Sequence, residues 1–512
     1  MSFEKKLTQR RKKFKNTATR VSSRDKRLEI TVKISKDKRE SRLMKRRNLV
    51  HVNQKIENKS VTTQEEIPPI EDLPIFAELV KSKQIDECYR GTRAIKLLLS
   101  EETDPPIDLV INTNVAPYFN EFLSLDNYPD LQFESTWALS NLCSENTTQT
   151  KYIVDLGVIP KLVRLISSPD IRVCEQAMWA LGNIAGDNTQ FRDQILQQKK
   201  LFEQISQIFL RNDLTNDVAK TASWALSNFV DGKPRPEFEL VKDSVPIFKM
   251  LLNENLIFLV VDACWGFSKL CLGNKKIIDV ILENNILDIF VNYLSSTNVS
   301  LKHPSLRIIG SMLSGNHLQT EKVLQFGVLE PLKDLLNDTL IEIRRAALFA
   351  ISNITAGNQE QVNRVLTCGI IPILMDLFEH DINPIKKEVC WVISNAIFSG
   401  FEDQLRFLIK EGVVDFFGEA LTLPYVDVII ISLDSITKLL RLGKIDAERS
   451  NRSYNNVAKK LIEINASELI DKLQIHENEK IKLKAKSIMD RYFFNQEDVE
   501  EYIGKNNKNY EF

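Results

Sequence analysis

The sequence predicts an all-α protein built as one long array of helical repeats. Three observations carry that reading. Five tryptophans, Trp137, Trp179, Trp224, Trp265 and Trp391, share one spacing: steps of 42, 45 and 41 residues separate the first four, and 126, three steps of 42, separate the last two. Around them one phrase recurs, WALSN at 137–141 and 224–228, WALGN at 179–183 and WVISN at 391–395. Glycine and proline are scarce, seventeen of each in 512 residues, as expected of helices joined by short turns. A period near 40–47 residues indicates a helical solenoid of the HEAT or armadillo kind. In such an array each repeat touches only its neighbours, so the usual ceiling on domain size does not apply.

The first element is a basic arm. Residues 1–60 hold 21 Lys and Arg against 6 Asp and Glu, a net of +15, which leaves −16 on the remaining 452 residues. RRKKFKN (10–16) is followed by a charged stretch in which Leu28, Val32 and Leu43 line one face of a helix that would form on a partner. So few apolar residues predict a mostly disordered arm when free, and such charge blocks mark interaction tails. A polar stretch ending in Pro-Pro, NKSVTTQEEIPPI (58–70), marks a linker, placed at 61–71. The repeat array runs over 72–495, and an acidic, then polar, tail occupies 496–512.

Within the array, QTKYIVDLGVIPKLVRLISSPDIRVCEQAMWALGNIAGD (149–187) reads as one unit. A short helix ends at Leu156-Gly157, Pro160 opens a second, Ser-Pro-Asp breaks and caps before a long third, and Gly186 stops it. About ten such units fit the chain, the first and last irregular as end caps. Seven scattered cysteines without a Cys-x-x-Cys pair read as reduced core residues of an intracellular protein. Neither a membrane-length apolar run nor a secretory leader is evident.

Helical phase separates core from surface on the third helix. Val173, Ala177, Ala180, Leu181 and Ile184 form one apolar stripe, while Trp179 and Asn183 fall roughly 105–145° from its middle, with Gln176 beside them. Stacked repeats would set equivalent helices about 8–10 Å apart, making a ladder of indoles and carboxamides along the concave side. An Asn offers donors and an acceptor to an extended peptide backbone. Slots between indoles would hold aliphatic stems, with a Lys or Arg head over a ring face. Carboxylates such as Asp187 and Glu388 would hold the cationic heads. The ligand implied is an extended Lys/Arg-rich peptide.

These residues resemble the importin-α family of nuclear import adaptors, from about residue 10 to 495. RRKKFKN and MKRRN (44–48) are similar to the ends of that family's importin-β-binding segment, and PPIDLVI (105–111), DACW (262–265), PSLR (304–307), ISNITAGNQEQV (351–362), IKKEVCWVISNA (385–396) and HENEKI (476–481) match further along. The resemblance implies an armadillo-repeat right-handed superhelical solenoid of about ten repeats behind the disordered arm. It implies a major peptide site of Trp137, Asn141, Ser144, Thr150, Gln176, Trp179, Asn183, Asp187, Trp224 and Asn228. It implies a minor site of Arg307, Phe349, Asn353, Glu388, Trp391 and Asn395, with Asp262 and Trp265 in the groove between. Arg10, Arg11, Lys12, Lys13, Lys45, Arg46 and Arg47 would bind importin-β, and the last three would mimic cargo and occupy the groove until importin-β takes the arm.

The implied partners are importin-β and cargo with basic localisation signals. An export receptor and nucleoporins come by resemblance alone, and no nucleic acid or membrane is expected. The expected location is shuttling between cytoplasm and nucleus, with no cofactor, metal or enzymatic activity. Lys269, Ser311 and Phe349 depart from the family's Tyr, Asn and Trp; Glu145 and Asn146 replace its Gly-Thr, and Asp231 stands where arginine is common. A lysine at 269 would repel basic side chains and weaken the middle of the groove. A catenin-type scaffold would line its groove with Lys and Arg instead. The arm as a nucleic-acid binder lacks any means of base readout. An enzyme finds no support in five isolated histidines (51, 303, 317, 380, 476) without a phosphate-binding or metal motif.

Overall fold

The computed structural model describes residues 67–101, 105–272 and 274–493, and these are helices joined by turns. Ten repeats follow one another, each closing on a long inner helix. We number these α1 (Ile85–Leu99), α2 (Pro129–Leu142), α3 (Ile171–Asp187), α4 (Asn216–Phe229), α5 (Ile257–Cys271), α6 (Val299–Met312), α7 (Ile341–Thr355), α8 (Asn383–Ser399), α9 (Val426–Arg449) and α10 (Glu479–Tyr492). Two shorter outer helices precede each of α2 to α10, as Thr147–Asp155 and Val158–Leu165 precede α3. Among the described residues, a short 3-10 turn (Ile70–Asp72) and one helix (Leu73–Val80) precede α1.

Local chemistry sets these boundaries. Asp170 caps α3 by accepting from the Arg172 amide at 2.9 Å, and Asn316 and Asn358 each form a reciprocal capping box with a glutamine three residues on. The turn between the two outer helices needs a left-handed residue, and Gly157, Gly327, Gly369 and Gly412 supply it at φ 77°, 73°, 80° and 91°. Asn114, Asn285 and Asn465 adopt the same conformation in three other repeats. Gly186 does not end α3, contrary to the sequence reading. The helix runs on to Asp187, and extended Asn188 stops it by turning to cap the next helix through the Gln190 amide.

The chain divides into two compact units, residues 1–270 and 271–512. In the first, α1 packs on α2, α2 on α3 and α3 on α4; in the second, α6 packs on α7 and the order continues to α10. The core is the row of inner-helix stripes, with Val173, Ala177, Leu181 and Ile184 fully buried in α3. None of the seven cysteines is in a disulfide; six are buried, and burial pushes the Cys174 thiol up to about 12. Among the described residues no single helix is long and apolar enough to cross a membrane, and no group of three or more His, Cys, Asp or Glu could hold a metal ion.

Candidate peptide-binding site

From α2 to α5 each inner helix presents an aromatic and a polar side chain at one register: Trp137 and Asn141 on α2, Trp179 and Asn183 on α3, Trp224 and Asn228 on α4, Trp265 and Lys269 on α5. These side chains are more covered than helical phase alone suggests. Trp179 keeps 4 % of its surface, Asn183 1 % and Gln176 5 %, while Trp137, Trp224, Asn228, Trp265, Asp262 and Asp187 are half-buried. The reason is lateral: α3 lies between α2 and α4, so both flanks of its apolar stripe are covered too.

The carboxamides are rungs tied to the helix before them. Asn183 Nδ2 donates to the Ser140 carbonyl at 3.2 Å, Asn228 Nδ2 to the Gly182 carbonyl at 3.2 Å, and Asn141 Nδ2 to Ser100 Oγ at 3.1 Å. The second unit repeats the pattern, Asn353 to Gly310 at 3.0 Å and Asn395 to Ser352 at 2.9 Å. Part of each donor capacity is therefore in use, and the tie fixes the rotamer. Asn183 Oδ1 and Gln176 Oε1 are buried without a hydrogen-bond partner among the described residues.

The residue before each rung is small because the next indole lies over it. A Cβ built on Gly182 would stand 2.4 Å from the Trp224 ring, and one on Gly310 would stand 3.2 Å from Phe349. This explains the Gly in WALGN, which the sequence displays but the helical phase does not account for. Gly182→Ala is expected to push the Trp224 ring out of place. Overpacking of this kind costs about 1–3 kcal/mol, so affinity for a basic peptide should drop about tenfold. Gly186→Ala is the control, its Cβ meeting Asn228 at an ordinary 3.4 Å. Equal peptide titrations for the two variants would show that Trp224 needs no such seat.

The slots also differ from the sequence expectation. Trp179 and Trp224 touch, with ring centroids 5.8 Å apart and planes inclined at 45°. A methylene stem between two rings needs about 7–8 Å, two carbon contacts of about 3.5–4.0 Å each. The gap between these two rings therefore leaves no room for such a stem. Ser144 Oγ donates to the Asn141 carbonyl at 2.7 Å and Thr150 Oγ1 to the Asn146 carbonyl at 3.1 Å, with Thr150 fully buried. These two hydroxyls brace the turn after α2.

Lys269 is not a bare charge. Its Nζ takes the place of an asparagine amide, donating to the Ser227 carbonyl at 3.1 Å and Ser227 Oγ at 2.7 Å, and it pairs with Asp231 at 3.2 Å. Burial alone would raise the Asp231 carboxyl, but the Lys269 charge, the Gly232 amide and Arg235 outweigh it and hold the group at about 2. The repulsion expected of Lys269 is thus largely compensated, and the two departures at 231 and 269 are partners. Asp262 on α5 accepts from Ser223 Oγ at 2.6 Å.

The second unit carries Arg307 on α6, Phe349 and Asn353 on α7, and Glu388, Trp391 and Asn395 on α8. Arg307 and Trp391 each keep 8 % of their surface and Glu388 only 3 %. Glu388 already faces a cation, Arg345 Nε at 3.5 Å. Burial, then the Arg307 charge, pushes His303 down to about 4, so it is neutral at physiological pH. Ser311 has no amide to donate. Arg10, Arg11, Lys12, Lys13, Lys45, Arg46 and Arg47 lie outside the described residues.

Comparison with known proteins fits this arrangement. The family described as "Importin beta binding domain" matches residues 10–93, and "Armadillo/beta-catenin-like repeat" matches residues 103–144, 146–186 and 358–397. The chain is 39 % identical to importin subunit alpha-2 of Arabidopsis thaliana over 495 residues, 96 % of this chain and 92 % of that one. It is 34 % identical to importin subunit alpha-1b of Oryza sativa subsp. japonica over 441 residues, 86 % of this chain and 82 % of that one. Among solved structures, an engineered protein shares the fold with a TM-score of 0.71 at 21 % identity, covering 82 % of this chain and 98 % of its own.

Proposed function

The chain belongs to the importin-α family, and on that premise we propose that it is a nuclear import adaptor that recognises basic localisation signals along the Trp/Asn ladder of α2 to α4. The carrying observation is the join of two features in one chain. An importin-β-binding segment matched at 10–93 precedes three consecutive rungs with aromatic and amide intact. The segment links cargo to importin-β; the ladder holds the cargo's lysines and arginines. The division into a basic arm over 1–60, a linker over 61–71, an array over 72–495 and a tail over 496–512 follows the charge and repeat boundaries, although the matched segment reaches into the first repeat.

The recognition chemistry follows from the site. A carboxamide held by the preceding helix presents its oxygen in a fixed direction, which suits backbone N–H groups of an extended peptide and reads no side chain. The indoles then select long stems with cationic heads. Arg307, Phe349, Asn353, Glu388, Trp391 and Asn395 form the second, weaker site, where Arg345 already shares Glu388. The protein acts by binding alone and has no chemistry of its own. It shuttles between cytoplasm and nucleus, with return through an export receptor.

The first test is a comparison of labelled peptides. A lysine-rich peptide is expected to bind at least about tenfold more tightly than an acidic one of equal length, since the body outside the arm carries −16. The preference should shrink as salt is raised. Tighter binding of the acidic peptide would overturn the adaptor reading in favour of a scaffold for acidic partners.

A further inference from the structure

One repeat period before Trp137 and Asn141 stand Lys96 and Ser100, both at the C-terminal end of α1. Ser100 receives the Asn141 amide, so the first repeat continues the rung ladder with a hydroxyl. Lys96 occupies the register of an indole. Its ammonium sits 4.6 Å from the centre of the Trp137 ring and 3.1 Å from Glu134 Oε2. Both charged side chains are buried, each residue keeping 6 % of its surface. The edge of the same indole is met by Phe133, 5.5 Å away at 76°.

This is the arrangement a basic ligand would make with the ladder: a long stem packed beside an indole, a cation over its face and a carboxylate at its end. Here the protein provides the cation itself. Resting on the adaptor reading above, we propose that Lys96 is a built-in stand-in for a cargo lysine, which fills the outer face of Trp137 and ends the groove there. The consequence is a fixed register. A basic run that extends past Trp137 finds the cation position already taken and a like charge facing it, so extra lysines at that end add no affinity. Glu134 makes the stop firm, because a buried cation held by a carboxylate is costly to displace.

The test uses the full chain and labelled peptides carrying Lys-Lys-Arg-Lys alone, or with two further lysines at one terminus or the other. The wild type should bind the extended peptide that reaches past Trp137 no more tightly than the short one. Lys96→Met uncovers the ring and removes the ammonium from Glu134, and one of the two extended peptides should then gain about tenfold. Lys96→Arg, which keeps a cation on the ring, should behave as wild type. Should loss of the Lys96–Glu134 ion pair prevent Lys96→Met from folding, the apolar pair Lys96→Met with Glu134→Leu removes the buried carboxylate, and a gain of about threefold should remain from the ring alone. Two results would overturn the proposal while leaving the adaptor reading intact. One is an equal gain from extension in wild type; the other is no gain in either Met variant although the short peptide still binds. Failure of the short peptide to bind any variant, wild type included, would overturn the adaptor reading and this inference with it.

Discussion

Replacing Trp179 and Asn183 together by alanine is expected to weaken binding of a lysine-rich peptide by at least about a hundredfold, since buried aromatic anchors and their partners contribute about 2 kcal/mol or more each. The two side chains act on different parts of the ligand. Asn183 would address the peptide backbone through a carboxamide fixed by its bond to Ser140. Trp179 supports Trp224 at 5.8 Å, so its loss also unsettles the neighbouring rung. The truncation has a structural cost as well. Trp179 is 4 % exposed, and removing a buried indole costs about 3–5 kcal/mol of local stability. Asn183→Ala alone separates the effects: it loses the amide's two bonds to Ser140, each worth about 1 kcal/mol, and leaves both rings in place. Anisotropy titrations of the single and double variants, with helix content checked by circular dichroism, measure this. Unchanged affinity in a folded double variant would remove α3 from the site.

How much of this was legible in the sequence depends on whether a feature repeats or pairs. The tryptophan spacing revealed the array, and the phase of Val173, Ala177 and Ile184 revealed its core, because both are properties of one helix repeated. What phase cannot reveal is how far a neighbour covers a helix flank. Trp179 and Asn183 were assigned correctly to one flank, yet their near-complete burial depends on α2 and α4 lying on either side. The closed gap between Trp179 and Trp224 depends on ring tilt, which has no sequence signature. Lys269 and Asp231 looked like two separate departures; their compensation is a contact across 38 residues that only the packing of α4 on α5 brings about. Lys96, by contrast, was within reach. Stepping one period back from Trp137 finds it, but a search keyed on tryptophan passes over a lysine in the same register.

Deletion of residues 1–60 is expected to raise the affinity for a basic peptide about tenfold or more, and importin-β added to the full chain should produce the same gain. The arm carries +15 against −16 on the body, so the expectation rests on charge attraction as well as on the tether. A tethered competitor acts at an effective concentration of about millimolar, and the apparent affinity of cargo falls by the fraction of molecules whose groove is open. If the arm fills nine grooves in ten, removing it returns about a factor of ten. Lys45, Arg46 and Arg47 form the densest basic cluster next to the linker, so alanine at all three should recover most of the gain. The three substitutions leave the first basic run, RRKKFKN, in place. Importin-β binding through that run then reports that the arm remains competent. Importin-β should change nothing for the deleted chain, because its effect runs through the arm alone. Equal peptide affinities for the full and shortened chains would mean that the arm never enters the groove, and that release of cargo must be driven from elsewhere on the protein.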